Sequence, residues 1–186
     1  MGMPHARHRV TVDEYHRMGE AGIFGEDDRV ELIDGQILEM TPIGVAHASC
    51  VNRLTELFAP VAGSRATLSV QNPVILTEHE EPQPDVMLLR YRVDGYATRH
   101  PGPADVLLLV EVADRSLTRD REEKLPSYAT TGIAEMWLVN LPGGGIEVCR
   151  EPHDGRYTAV RTVRRGDTIT PLAFPDLALR VDAILA

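Results

Sequence analysis

The spacing of apolar and polar residues changes period several times along the chain, and each change marks an element. Thr11-Val12-Asp13-Glu14 has capping-box spacing and predicts a short helix to about Met18, closed by Gly19 and Gly22. Arg29-Val30-Glu31-Leu32-Ile33 alternates, Asp34-Gly35 suits a type I′ turn, and Gln36-Ile37-Leu38-Glu39-Met40 returns, which predicts a hairpin. Pro42 and Gly44 break the strand. Val45, Val51, Leu54, Leu57, Phe58 and Val61 then fall on one helical face, giving a helix over 45–61.

Beyond Gly63 the period becomes that of a strand. Residues 66–71 and 74–77 read as strands with Pro73 as a bend between them, and 78–82 as a polar turn. Residues 86–89 form a compact apolar run, 90–103 a loop, and 105–112 a strand buried on both faces. Thr118 can cap a helix over roughly 119–130, in which Pro126 removes a backbone donor and should bend or weaken the turn. Strands follow at 135–139 and 146–149, with shorter ones at 157–163 and 177–181. A strand–helix–strand unit from about 105 to 140 within interleaved elements predicts an α/β (α+β) fold, a mixed central β-sheet flanked by helices.

With 186 residues, one domain over 11–186 behind a flexible segment 1–10 is the expected organisation. The chain is 43% hydrophobic and 25% charged, the composition of a soluble globular protein. Nothing near the N-terminus resembles a signal peptide, and no apolar run is long enough to cross a bilayer, so a cytoplasmic location and no membrane partner are expected. Cys50 and Cys149 lie far apart without a CxxC, which argues against a disulfide framework or a cysteine-rich zinc site. The net charge of −9 disfavours a protein that coats nucleic acid non-specifically. It leaves room for an enzyme that meets nucleic acid through metal ions and a local basic patch.

Candidate chemistry begins with carboxylates in apolar settings. Glu111 shares a face with Leu107, Leu109 and Ala113 near the end of the most hydrophobic strand. Such a group is paired, protonated, metal-bound or emergent at the sheet edge. Asp85, fixed by Pro84 at the start of the preceding buried strand, is either simple turn chemistry or a second inward acid. Glu31 lies in the hairpin between Val30 and Leu32, as a half-exposed strand residue or a third member of the set. Carboxylates gathered at strand ends repel unless a cation sits among them, and an all-oxygen set suits Mg²⁺ or Mn²⁺. Eighteen of the 19 basic residues are Arg, and Lys124 is the single Lys. An ammonium can orient a water or move a proton where a guanidinium cannot.

Pro84-Asp85 followed by Glu111-Val112-Ala113 resembles the PD-(D/E)xK nuclease superfamily. More closely, the segments TVDEYHRM, VELIDGQILEM, the His47 helix, QPDVMLL, LLLVEVADRS, the run from Lys124 through Tyr128 to Gly132, and AEMWLVN resemble a bacterial family of restriction endonuclease-like proteins. They span roughly residues 10–186 in the expected order. Ala113 stands in the slot where the superfamily pattern has Lys, and Lys124 fits the position displaced to the following helix. Asp114 stands where the family commonly has Ser.

The resemblance implies a restriction-endonuclease-like fold and metal-dependent hydrolysis of phosphodiester bonds, most simply of DNA. Asp85 and Glu111 would be metal ligands, Glu31 a further acidic member, and Lys124 the group that positions the attacking water. His47, Arg115 and Arg119 are candidate phosphate contacts. His47 could equally be a satisfied helix histidine, and the arginines a solvated helix entrance paired with Asp120, Glu122 and Glu123. Trp137 and Tyr128 are expected in the core. A homodimer follows from the mechanics of cutting two strands. The alternative function is an inactive nuclease fold serving nucleic-acid binding or protein interaction.

Overall fold

A computed structural model describes residues 7–25 and 27–186. A six-stranded mixed sheet forms the centre, in the order β3-β4-β5-β6-β7-β8. Its strands are β3 (Ala66–Val70), β4 (Val86–Arg90), β5 (Val106–Ala113), β6 (Glu135–Asn140), β7 (Gly145–His153) and β8 (Arg156–Arg164). β5 and β6 pair parallel and every other neighbouring pair is antiparallel. Parallel pairing requires a crossover, and the helical segment after β5 supplies it.

Alternation along β5 divides the core. Leu108, Val110 and Val112 pack on one face against α2 (Val45–Phe58) and α5 (Val181–Leu185), whereas Leu109 and Ala113 face the layer of Tyr128, Ala129 and Ile133. The expected face assignment holds from Leu108 onward and reverses before it. A shift in the β4–β5 register pairs Leu88 with Leu108 and Leu89 with Val106, leaving Leu107 as a bulge. Val106 therefore joins Leu109, and Leu107 packs on the opposite side.

Local rules place the periphery. Thr11 caps α1 (Val12–Glu20): its Oγ1 accepts from the Glu14 N–H at 3.2 Å, and Glu14 Oε2 accepts from the Thr11 N–H at 2.9 Å. The hairpin of β1 (Val30–Ile33) and β2 (Gln36–Glu39) turns through Asp34 at φ 48° and Gly35 at φ 72°, the positive pair of a type I′ turn. Gly35 is needed for a second reason, since a Cβ there would lie 2.9 Å from the Arg9 Cα. Of residues 1–10, the first six lie outside the described residues; Val10 N–H donates to the Gly35 carbonyl at 3.0 Å.

Several expected elements differ. Residues 74–77 form an arm rather than a strand: Val74, Ile75 and Leu76 donate to Pro82, Pro101 and Glu80. Prolines at 73, 82 and 84 deny donors to a continuous ladder. Val45, expected on the buried face of α2, is 89% exposed, and the helix gives way to a 3₁₀ turn at Ala59–Val61. Near the C-terminus only β10 (Leu179–Arg180) is a strand, paired with β9 (Thr168–Ile169), and the chain turns at once into α5.

The largest departure is the crossover. In place of one bent helix over 119–130 there are α3 (Leu117–Arg119), a π-helical turn Asp120–Lys124, and α4 (Leu125–Thr130). The Leu125 N–H bonds to the carbonyl of Asp120, five residues back. Pro126 has no N–H for the Glu122 carbonyl and its ring crowds the turn before it, so the helix widens just ahead of it. No helix of the described residues is long and apolar enough to cross a membrane.

Candidate active site

The mouth of the β4–β5 pair, closed over by the hairpin, the start of α2 and the π turn, forms a cleft of about 340 Å³. The β4–β5 register sets Val86 opposite Val110, so one further step brings position 85 opposite position 111. Asp85 and Glu111 therefore belong to one face of the sheet and line one cleft. Glu31 and Lys124 line it as well. All four are buried, with exposures of 1% for Glu31, 8% for Asp85, 3% for Glu111 and 6% for Lys124.

The two central carboxylates are held in different ways. Asp85 Oδ2 accepts the Val112 N–H at 2.8 Å and faces His47 Nε2 at 3.0 Å, while Gln71 Nε2 donates to Oδ1 at 3.4 Å. Glu111 Oε1 accepts the Tyr128 hydroxyl at 2.6 Å and the Lys124 ammonium at 3.3 Å. Among the described residues no hydrogen bond goes to Glu111 Oε2. Burial, with Asp85 and Asp120 adding to it against Lys124 and Tyr128, pushes the Glu111 carboxyl up to about 8. The strand slot at Ala113 is fully buried among apolar groups. An ammonium thus reaches Glu111 from the crossover rather than from the strand itself.

Lys124 lies between two acids. Its Nζ is 3.0 Å from Glu31 Oε2 as well as 3.3 Å from Glu111 Oε1. Burial opposes its charge, but Glu111, Glu31 and Asp120 outweigh that and raise its pKa, so it stays an ammonium. Glu31, which could have been a half-exposed strand residue, is almost fully enclosed and also takes Arg119 Nη2 at 2.8 Å and the Gln83 N–H at 3.3 Å.

The expected phosphate contacts are arranged less simply. His47 faces the cleft, but its Nε2 is engaged by Asp85 and that bond raises its pKa despite burial. Its Nδ1 is buried without a partner among the described residues. Arg119 is drawn inward by Glu31 and bonds Glu123 Oε2 at 3.2 Å, so its guanidinium is already engaged by acids. Arg121 pairs with Glu147 outside the cleft. Arg115 stands exposed at the rim.

Four contributors were not singled out for the cleft by the sequence, and Gln71, which donates to Asp85, is one. Tyr128 is in the core as expected, yet its hydroxyl bonds Glu111; its i+4 spacing from Lys124 was the available signal. Asp120, four residues before Lys124, is buried with Ser116 Oγ donating to it at 2.6 Å. Gln83, two residues before Asp85, holds Glu31.

Charge decides what such a pocket can accept. Glu31, Asp85, Glu111 and Asp120 are buried carboxylates, and Lys124 and Arg119 are the fixed cations bonded to members of that set. Acid exceeds base, and one carboxyl is pushed toward its neutral form. Those properties fit a hard divalent cation held by Asp85 and Glu111.

Comparison with known proteins bears on the family and the fold. The family model described as "Uma2: Putative restriction endonuclease" matches residues 12–182. The chain is also similar in fold to a protein from Anabaena variabilis ATCC 29413 described as a putative nuclease belonging to DUF820. The TM-score is 0.74 at 15% sequence identity, covering 95% of this chain and 97% of that one. No curated protein matches the chain.

Proposed function

The chain belongs to the Uma2 family, and from that premise we propose a divalent-metal-dependent endonuclease that hydrolyses phosphodiester bonds of DNA. The observation that carries this reading is the convergence of Asp85, Glu111 and Lys124 on one cleft, with acid in excess of base. Asp85 and Glu111 would hold Mg²⁺ or Mn²⁺. Such an ion polarises a phosphoryl oxygen and lowers the pKa of its water.

The protein's own groups do the rest. Lys124 orients a water for in-line attack and offsets charge on the phosphate, with Glu31 fixing its Nζ. Val112 N–H, His47 and Gln71 hold the Asp85 carboxylate, while Tyr128 holds that of Glu111. Arg115 at the rim is the freer of the candidate phosphate contacts; Arg119 would first have to leave Glu31. A homodimer remains the simplest way to cut both strands of a duplex.

A nuclease fold without turnover is the second reading, favoured by the ammonium of Lys124 being held between two carboxylates. The test is cleavage of single- and double-stranded DNA with Mg²⁺ or Mn²⁺, against Asp85→Ala and Lys124→Ala. Metal-dependent cleavage lost in both variants supports the proposal. Activity no greater than theirs establishes the second reading instead.

A further inference from the structure

Away from the cleft, His16, Glu81 and His100 bring one ligand atom each to within 4.8 Å of one another. Three separate segments supply them: α1, the turn of the arm before Pro82, and the loop that ends at Pro101. His16 Nε2 lies 2.7 Å from Glu81 Oε2, and the His16 and His100 rings stand 5.9 Å apart, tilted by 60°. Glu81 is only 4% exposed, and His16 is the one hydrogen-bond partner of its carboxylate among the described residues. The backbone fixes it: its N–H donates to the Leu32 carbonyl at 2.8 Å. No Lys or Arg pairs with it among the described residues, so a nearly enclosed carboxylate faces the ring nitrogens of two histidines. That is an uncommon way to leave a buried carboxylate.

The geometry points to a second metal site, specific for a zinc-class ion, in which His16, Glu81 and His100 are the ligands and a water fills the fourth position. Two imidazoles and one carboxylate are borderline donors that select Zn²⁺ over Mg²⁺, in contrast to the all-oxygen set of the cleft. Metal–ligand bonds of about 2.0–2.1 Å place tetrahedral ligand atoms roughly 3.3 Å apart. The pair His16–Glu81 has only to open slightly, and His100, exposed on its loop, closes from the solvent side. Solvent access on that side admits the water. The ion would cross-link α1 and the 91–102 loop to the arm whose next residues are Gln83, which holds Glu31, and Asp85. Its role is to brace that arm from behind.

The experiment uses the untagged full chain, stripped with EDTA and titrated with Zn²⁺ alone, in a background of Asp85→Asn and Glu111→Gln that disables the cleft. One equivalent of Zn²⁺ should still bind, and Co²⁺ in its place should give the intense visible bands of a four-coordinate site. His16→Ala and His100→Ala should each weaken binding beyond the roughly 10- to 100-fold that loss of a merely supporting group produces. His100 is exposed, so His100→Ala should match the parent's metal-free melting temperature and serves as the deciding variant should His16→Ala fold poorly. Absence of stoichiometric Zn²⁺ in the cleft-disabled chain, or equal affinity in the His100→Ala chain, would overturn the site. Because the readout is metal retention, failure here leaves the nuclease proposal untouched.

Discussion

Asp85 Oδ2 accepts the main-chain N–H of Val112 at 2.8 Å, the amide adjoining Glu111 on the neighbouring strand. One acidic side chain is thus pinned to the backbone that carries the other, and their separation is a property of the sheet. Asp85→Ala should remove both a proposed cation ligand and this acceptor. Leaving the buried amide unpaired costs about 1–3 kcal/mol. Asp85→Asn keeps an acceptor and loses only the charge. Thermal melts in EDTA, Mg²⁺ and Mn²⁺ should show a metal-induced rise for the natural chain and none for either variant, with the metal-free baseline lower for Ala than for Asn.

Lys124→Ala leaves Glu31 and Glu111 without their shared ammonium. Removing one partner of a buried ion pair destabilises by about 3–5 kcal/mol, measurable as a drop in the urea midpoint. Cleavage should fall by at least about 10²-fold, the usual effect of losing one group that stabilises developing charge. Lys124→Arg restores charge but brings a planar fork into a space shaped for an ammonium, so stability should recover further than turnover. Equal recovery of both would argue against a role in catalysis.

Asp120 supplies a pH signature from a residue that is not itself a proposed ligand. Burial raises its pKa above 3.8, against the opposing effects of Ser116 and Lys124. A carboxyl whose folded pKa is raised contributes no penalty below its unfolded value, where both states are protonated. As pH rises through the folded value, the native state must release a proton that it holds more tightly than the unfolded chain does, and stability is lost. Asp120→Asn, which keeps an oxygen acceptor for Ser116, should therefore gain more melting temperature at pH 7 than at pH 4. An increment that does not change with pH would contradict this.

The two thiols should be silent. Burial pushes Cys50 up to about 11 and Cys149 up to about 12. At pH 8 the thiolate share is then on the order of one in a thousand or less. Neither residue should react with iodoacetamide until the chain is unfolded in guanidinium, when mass spectrometry should find both alkylated. Rapid labelling of the folded protein would refute the burial.

Elements governed by local rules were legible from residues alone. The capping box at Thr11, the Asp34-Gly35 turn and the apolar run of β5 each write their own geometry into a few neighbouring positions. Glu111 was conspicuous because a charge interrupts that run, and Asp85 because Pro84 restricts its backbone. What the sequence hid is relational. That Arg119 turns inward to Glu31 depends on the hairpin lying beside the crossover, 88 residues away in sequence. The Leu107 bulge depends on how β4 and β5 register, and composition is blind to register. The His16, Glu81 and His100 group has no ligand spacing in sequence, since its members come from three unrelated segments.

The widened turn at Asp120–Lys124 has a bearing on how this scaffold tolerates change in length. One residue in an α-helix turns the chain by about 100°. Losing a single amino acid from that loop of the spiral would restore ordinary pitch and swing the ammonium away from its acids. The cleft would then lose the Lys124 ammonium while keeping Arg119, which precedes the turn. The phasing of this short coil, more than the identity of any strand residue, sets where the amine arrives.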